Sequence, residues 1–577
     1  MIPQEIRHWS GVRLDRERTD LEQDELAYAM NADLFLELGT IRVRRGRSAL
    51  ITNRLSDLVV RRVARVNSIR YQVAGTVLYR AGSSIRTGLS DNLVTTIQGY
   101  RPLNDTSTWA FVADANGMYK DDGTNLWNWG ITAPSATPGV GTTGTGLTGV
   151  YHVKFTYCRK VGSTVICESN PSPASAAQTL ANQSLAITGM TASSDGQVTH
   201  IRIYRTIADG ANYYWDQDIA NGTETATSSQ ADDALGSELA TDNDPPPACG
   251  YVSPPWEGRL WLCQDPKYPH YLYYTKRFQP EVVPTANFLE IGTPEDPLQC
   301  ALPYGGINVV FARARKYRVM GTGTTPFVAQ ETPSKRGCPA WAAADIGEDG
   351  IYFLATDGIY KTNGFAADEQ ISGPIQPLFE GRSVNGYSPI SFDQASKFSL
   401  RVWKRRVYAS VADGDSTTPN RIWVNKIGTD RWQAYDHAMA SLGQEEDTDY
   451  LVAGGHDGFV HRLETGNNDG GVDIAMTVDS KDYAHVTAES PTGPMARKLY
   501  HSIGEDLDGG SFGVTFYVDG ATKYSCAIPT SRRPTPIRLP ANSQGYRWRK
   551  RWTYSGTGQA VIYGTTTYAM PMEVADG

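Results

Sequence analysis

Histidine, cysteine and glycine-rich positions are where a reaction centre would be sought first. His456 and His461 stand on either side of Asp457-Gly458. Two imidazoles so close in sequence could begin a cation site, but no third or fourth donor follows at a ligand spacing. Two solvent-facing histidines on a hairpin are therefore expected. The seven cysteines, at positions 158, 167, 249, 263, 300, 338 and 526, are odd in number and scattered, with no CxxC pair or zinc spacing. They read as buried free thiols in a reducing compartment. Cys158 and Cys167 flank an expected hairpin and could approach each other, although two small core residues is the preferred reading. Gly141-Thr-Thr-Gly-Thr-Gly146 has no lysine to reach a phosphate and reads as flexible linker. HExxH, a Walker loop and a GxGxxG preceding a helix are all missing. No catalytic residue, cofactor, metal or small-molecule substrate is expected, and the chain is read as non-enzymatic.

Lys120-Asp-Asp-Gly-Thr-Asn-Leu-Trp127 loosely resembles the Asp-box turn of sialidase-type propellers, a structural hairpin in those folds. A glycosidase needs carboxylates positioned about the scissile bond, and nothing in the sequence groups the many carboxylates that way. A hairpin turn is the expected role.

Arginines are the other candidates. Arg42, Arg44, Arg45, Arg47, Arg54, Arg61, Arg62, Arg65 and Arg70 make the densest basic segment of an otherwise acidic chain. They could attract nucleic-acid phosphates without reading sequence. They could dock on acidic surfaces of a neighbouring subunit, where guanidinium forks match carboxylates. The bland alternative is a set of strands whose charged tips face water. Docking is favoured over phosphate contact, and Arg42, Arg44, Arg45, Arg47, Arg61 and Arg62 are the docking candidates. Arg547-Trp-Arg-Lys-Arg-Trp552 could stack bases, but strand alternation explains it better. Trp548 and Trp552 then point inward, Arg549 and Arg551 outward, and Lys550 shares the inward face.

The elements that must carry these residues are strands. A chain of 577 residues exceeds one core and should hold several domains. A hydrophobic content of 40% against 20% charged is enough for packed cores and too little charge for disorder. Abundant Tyr, Trp, Gly and Pro suit short strands joined by tight turns. The net charge of −8 argues against a sequence-specific DNA binder, which needs a basic face. It allows a protein that lets DNA pass. The opening Met1-Ile-Pro-Gln-Glu-Ile-Arg-His-Trp9 has no apolar core after a basic start, so no signal peptide is expected. No run of about 18 apolar residues suggests a membrane span.

The spacing predicts helical content only in Leu21–Gly39, where Leu26, Met30 and Leu34 recur every fourth residue. Elsewhere Asn116-Gly117, Asp357-Gly358 and Asp457-Gly458 each follow an apolar strand and precede one with an aromatic and a basic residue, and Asp122-Gly123 and Asp519-Gly520 also join strands, as suits two-residue hairpins. Recurring meanders of this kind suggest propeller blades. The expected fold is all-β: a degenerate β-propeller with an inserted β-sandwich domain and a C-terminal β-sandwich. Residues 1–65 form an N-terminal arm and first strands, and 66–130 the first blade or blades. Residues 131–250, opening with the linker Pro134–Thr148, form an inserted fibronectin-like sandwich. Residues 251–466 hold the remaining blades and 467–577 the C-terminal sandwich.

Together, three features resemble the tail nozzle proteins of short-tailed bacteriophages, also called tail tubular protein B-like or packaged-DNA stabilisation proteins. One is the opening pattern Trp9-Ser-Gly11, Leu21-Glu-Gln-Asp-Glu25, Ala29-Met-Asn-Ala-Asp33 and Gly39-Thr-Ile-Arg-Val-Arg-Arg-Gly46. The others are the blade series interrupted by a sandwich and the β-rich C-terminal region. The resemblance implies a homo-oligomer, usually a hexameric ring, docked to portal and adaptor ring proteins and carrying tail fibre or needle proteins. It implies passage of double-stranded DNA without sequence specificity, and a place in the virion tail after assembly in the host cytoplasm. The alternative is a carbohydrate-binding or glycan-cleaving propeller, tailspike or adhesin-like.

Overall fold

The computed structural model describes residues 2–572 except 38, 52, 56–58, 92–93, 446, 485–496 and 530–534. The described residues form an all-β fold, in which one four-residue α-helix (Gln376–Phe379) and three short 3₁₀ turns accompany the strands. Residues 64–71 and 76–332 make one compact unit; residues 1–63, 72–75 and 333–577 make the other.

The first unit contains propeller-like meanders, each of four antiparallel strands in sequence order. One is Trp109–Asp114 and its neighbours Thr95–Tyr100, Gly117–Asp121 and Leu126–Asn128. A second runs from Tyr251–Val252 to Phe288–Glu290 and a third from Leu298–Tyr304 to Val328–Glu331. Their central strands are buried on both faces, as Trp109–Asp114 and Ile307–Ala312 show, which is why they read as continuous apolar runs. Between the first two meanders lies a two-layer sandwich. Gly139–Tyr151, Gln178–Thr188 and Ala226–Ser228 form one sheet, and Thr164–Glu168, Val153–Val161, His200–Thr206 and Tyr213–Ala220 the other. Tyr151, Phe155, Leu185, Ile187, Ile201 and Ile203 fill the space between them. The expected linker Pro134–Thr148 is largely strand. Gly139–Tyr151 pairs along its length with Gln178–Thr188, with a register break between Thr143 and Leu147. Backbone pairing, not side-chain burial, holds this glycine-rich stretch straight, so composition could not reveal it.

The second unit contains the meanders Ala344–Gly347 to Glu369–Gln370, Ser399–Trp403 to Trp432–Tyr435, and Met439–Glu445 to Val460–Arg462. The last takes its fourth strand, Ser48–Ala49, from the other end of the chain. One further sheet and the continuation of the sheet that holds Ser399–Trp403 to Trp432–Tyr435 form a C-terminal sandwich, and residues 467–577 do not build it alone. Ile2–Ile6, Ala32–Asp33 and Ile41–Val43 join one sheet through Val561–Pro571. Leu26–Met30 joins the other, between Trp432–Tyr435 and Ile474–Ser480. The helical expectation for Leu21–Gly39 is thereby corrected. A strand paired on both edges and buried on both faces loses its alternation, and the chance recurrence of apolar residues then imitates a helical period.

Turn chemistry is partly as expected. Asp519 and Gly520 occupy φ of 48° and 78° between paired Val518 and Ala521, a two-residue turn of the mirror-image kind. At Asn116-Gly117 and Asp357-Gly358 the turn falls one residue earlier, because Asp114 pairs with Gly117 and Ala355 with Gly358. Each glycine opens the return strand.

One glycine does need its missing side chain. The N-terminal segment crosses residues 465–470 through Thr465 N–H to Gly46 O (3.0 Å) and Arg47 N–H to Asn468 O (3.1 Å). A Cβ on Gly46 would collide with the Asn468 backbone carbonyl. Gly46→Ala is expected to destabilise the protein by about 1–3 kcal/mol, read as a lower urea midpoint at unchanged m-value. Gly373→Ala, with open space around its Cβ position, should leave the midpoint unmoved.

Candidate functional site

A guanidinium can dock a neighbour only if it reaches solvent, and the arginine segment divides on that test. Arg44 is 1% exposed and its donors are taken inside the unit. They go to Asn31 Oδ1 (2.8 Å), Asp469 Oδ2 (2.6 Å) and Asp436 Oδ1 (3.1 Å). Arg61 is also buried. Arg44 and Arg61 are thus removed from the docking set, and Arg44 equally refutes the picture of charged tips facing water. Arg62 is half-buried with its guanidinium 5.1 Å over the Trp341 ring, and Arg42 pairs with Glu37. Arg47 is half-buried and Arg45 is exposed.

Beside Arg44 lies a second buried ionic group. Asp33 accepts the N–H groups of Phe35 (2.7 Å) and Leu36 (3.2 Å) on one oxygen and Arg406 (2.9 Å) on the other. The Tyr408 hydroxyl donates to Glu464 at 3.3 Å. Burial, reinforced by the Asp33 carboxylate and opposed by Arg406 and Arg44, pushes Glu464 up to about 7.

Strand Arg547–Gly556 carries the cation-and-ring run, and its side chains alternate as expected. Trp548 and Trp552 are buried, while Arg549 and Arg551 both reach Asp479, Arg551 with its Nε at 2.6 Å. Arg18 from the N-terminal segment also reaches Asp479, at 3.2 Å. Lys550 is fully buried and donates to Glu505 at 2.7 Å and to Thr565. Glu505 also accepts the Trp552 indole N–H (2.8 Å). The apolar surroundings lower the lysine's pKa, and Glu505 opposes that.

In the other unit the Asp-box-like segment is a structural hairpin. Asp122 Oδ1 accepts Thr124 N–H (2.8 Å) and Asn125 N–H (2.7 Å), and Asp121 holds Tyr71 and Arg80 (2.7 and 2.8 Å). Lys120 points inward and pairs with Glu281, which also receives Arg159 (3.2 Å) from the inserted sandwich. Arg159 reaches Asp105 at 3.0 Å and lies 4.4 Å over the Trp109 ring. Neighbouring Cys167 and Cys158 remain free thiols, with burial pushing Cys158 up to about 12.

The histidines correct an expectation. His461 is buried, 3.3 Å from Asp457, and His456 is half-buried against Pro419 O at 3.1 Å. Neither faces solvent freely, and burial lowers the pKa of both. Among the described residues no group of three His, Cys, Asp or Glu side chains could hold a metal ion.

Open grooves among the described residues include three with charged linings. One of about 620 Å³ is lined by Asp482, Tyr517, Asp519, Tyr546, Arg547 and Arg549, and its Asp519 already accepts the N–H groups of Tyr546 and Arg547. Another of about 620 Å³ includes Arg86, Tyr119, Trp127 and Asp195. The third, about 330 Å³, holds Arg259, Lys276 and Arg277. Sequence reasoning singled out none of these three residues. The adjacent pair Lys276-Arg277 in an acidic chain was the available signal.

No family model matches the chain, and no curated protein does. Solved structures with partial likeness include apo AztD from Citrobacter koseri, at 10% identity over 65% of this chain and 88% of that one, with a TM-score of 0.27. The extracellular domain of the hybrid two component system BT4673 from B. thetaiotaomicron is 10% identical over 90% of this chain and 76% of that one, with a TM-score of 0.24. Hsv2 from Kluyvelomyces marxianus is 7% identical over 53% and 91%, with a TM-score of 0.22. Scores this low carry no argument about function.

Two outcomes follow from the ionic groups. Glu281→Gln leaves Lys120 and Arg159 short of buried counter-charge and should cost about 3–5 kcal/mol, measured by urea unfolding at neutral pH. Glu464 titrates higher when folded than when unfolded, so its protonated form favours the native state. Stability should therefore fall as pH rises from the unfolded carboxyl range through about 7. Glu464→Gln should abolish that part of the decline, seen by comparing urea midpoints of the two proteins between acidic and slightly alkaline pH.

Proposed function

We propose that the chain is a non-catalytic structural subunit of a phage tail nozzle, assembling as a ring, usually of six copies, that extends a portal and adaptor channel. In this reading it retains packaged double-stranded DNA and conducts it during ejection, and tail fibre or needle proteins attach to it. The observation that carries the proposal is the inward commitment of charge. Arg44, Lys120, Arg159 and Lys550 all spend their positive charge on internal carboxylates. The chain keeps a net charge of −8, and an acidic surface adheres weakly to a polyanion. The opening motifs Trp9-Ser-Gly11 and Gly39–Gly46 and the sandwich within a blade series support the same reading. Arg45, exposed, and Arg42, Arg47 and Arg62, half-buried, remain the docking candidates from the arginine segment.

A second reading, a glycan-binding propeller, draws on one feature. Tyr268, Tyr271 and Phe288 stack at 4.8 and 4.7 Å with nearly parallel planes, and the outer two rings are more than a third exposed. Such rings suit the C–H faces of sugars.

Electron microscopy of the purified protein, alone and mixed with candidate portal and adaptor rings, separates the two. Ring particles seated end-on against an adaptor are the expected outcome. Monomers in both samples, together with retention on a polysaccharide column, would overturn the nozzle reading.

A further inference from the structure

Arg259 differs from the arginines just described. It is half-buried between the Tyr274 and Phe327 rings, 5.4 and 5.5 Å from their centroids. Its Nη1 donates to the Thr275 carbonyl at 2.6 Å, whereas Nε is buried without a partner. Among the described residues no carboxylate is hydrogen-bonded or ion-paired with it; burial and, less, the neighbouring Arg277 disfavour its charge, while Tyr274 and the more distant Glu257 favour it. Nη2 lies against Gly323, where a Cβ would come within 3.1 Å, so the glycine leaves that side of the fork open.

The surrounding groove, about 330 Å³, brings Lys276 and Arg277 to the same place and lines the rest with Asn287, Pro284 and Pro326. Lys276 is partly neutralised by Asp242 and also meets Asn243 Oδ1 at 2.9 Å. Three cations thus face one carboxylate in a protein that is acidic overall. A half-buried guanidinium with no paired carboxylate favours an anion in the groove beside it, and an oxyanion is the partner its remaining N–H groups fit. The rings and prolines add apolar surface beside that charge, the usual make-up of a small-molecule pocket at the lower end of the size range.

We propose that this pocket binds a small organic oxyanion, a carboxylate or phosphate group carried on a compact body, with Arg259 as the principal anchor. Arg277 and Lys276 add field, and the Asn287 amide and the Tyr274 and Phe327 rings contact the body. The site belongs to residues 242–327 alone and stands independently of the nozzle reading.

Calorimetric titration of the full-length protein with sodium glucuronate, glucose 6-phosphate, inorganic phosphate and neutral glucose tests it. Saturable binding of glucuronate or the sugar phosphate, with none of glucose, is expected, and which acid binds identifies the oxyanion. Binding of inorganic phosphate alone would overturn the requirement for an organic body, and no binding of any anion would overturn the site. Arg259→Gln should weaken binding at least about tenfold. Because that variant could disturb packing, two exposed positions give opposite signs: Arg277→Gln should weaken binding, and Asp242→Asn should strengthen it. Added salt should weaken binding in every folded variant. An affinity indifferent to both exposed substitutions would also sink the proposal.

Discussion

A charge removed from water must find its opposite within hydrogen-bonding distance, and this constraint organises both units. The pairs Arg44–Asp469, Lys120–Glu281 and Lys550–Glu505 each join segments far apart in sequence. Such pairs add little net stability over apolar residues of the same volume, but breaking one partner is severe. Their value is geometric. A buried lysine facing a single glutamate tolerates no slip of strand register, because a one-residue slip would turn the cation to the other face.

The N-terminal segment shows the constraint acting on topology. It supplies strands to both sheets of the C-terminal sandwich and the outer strand of the Met439–Arg462 meander. Arg18 and Arg44 then fasten it to Asp479 and Asp469. Packing follows the same route, with the Trp9 ring edge-on to Trp552 at 5.5 Å and the Tyr28 ring stacked on Tyr387 at 4.6 Å. Chain ends held this way resist fraying more than an edge strand tethered by backbone bonds alone. In the unit of residues 76–332, the Arg159 and Glu281 contacts play the same part for the inserted sandwich, tying it to the meanders before and after it.

Against this background Arg259 stands out by chemistry: it has rings on two faces, one carbonyl acceptor and no carboxylate.

Strand content, the presence of hairpins near the Asn-Gly and Asp-Gly pairs and the alternation of Arg547–Trp552 were legible in the sequence, because each depends on neighbours one to four residues away. Asp519-Gly520 sets its turn by local φ preference, and Trp548 and Trp552 share a face by strand geometry. The sequence also placed Lys550 on that inward face, but the existence of Glu505 opposite it came only from the pairing of two sheets. The same holds for Leu26–Met30, whose strand state is imposed by partners some four hundred residues later. It holds for Arg44 and Arg61 too, which looked like surface cations until the fold enclosed them. Local chemistry determined what each segment could become. Which charges meet is a long-range fact that only the folded chain decides.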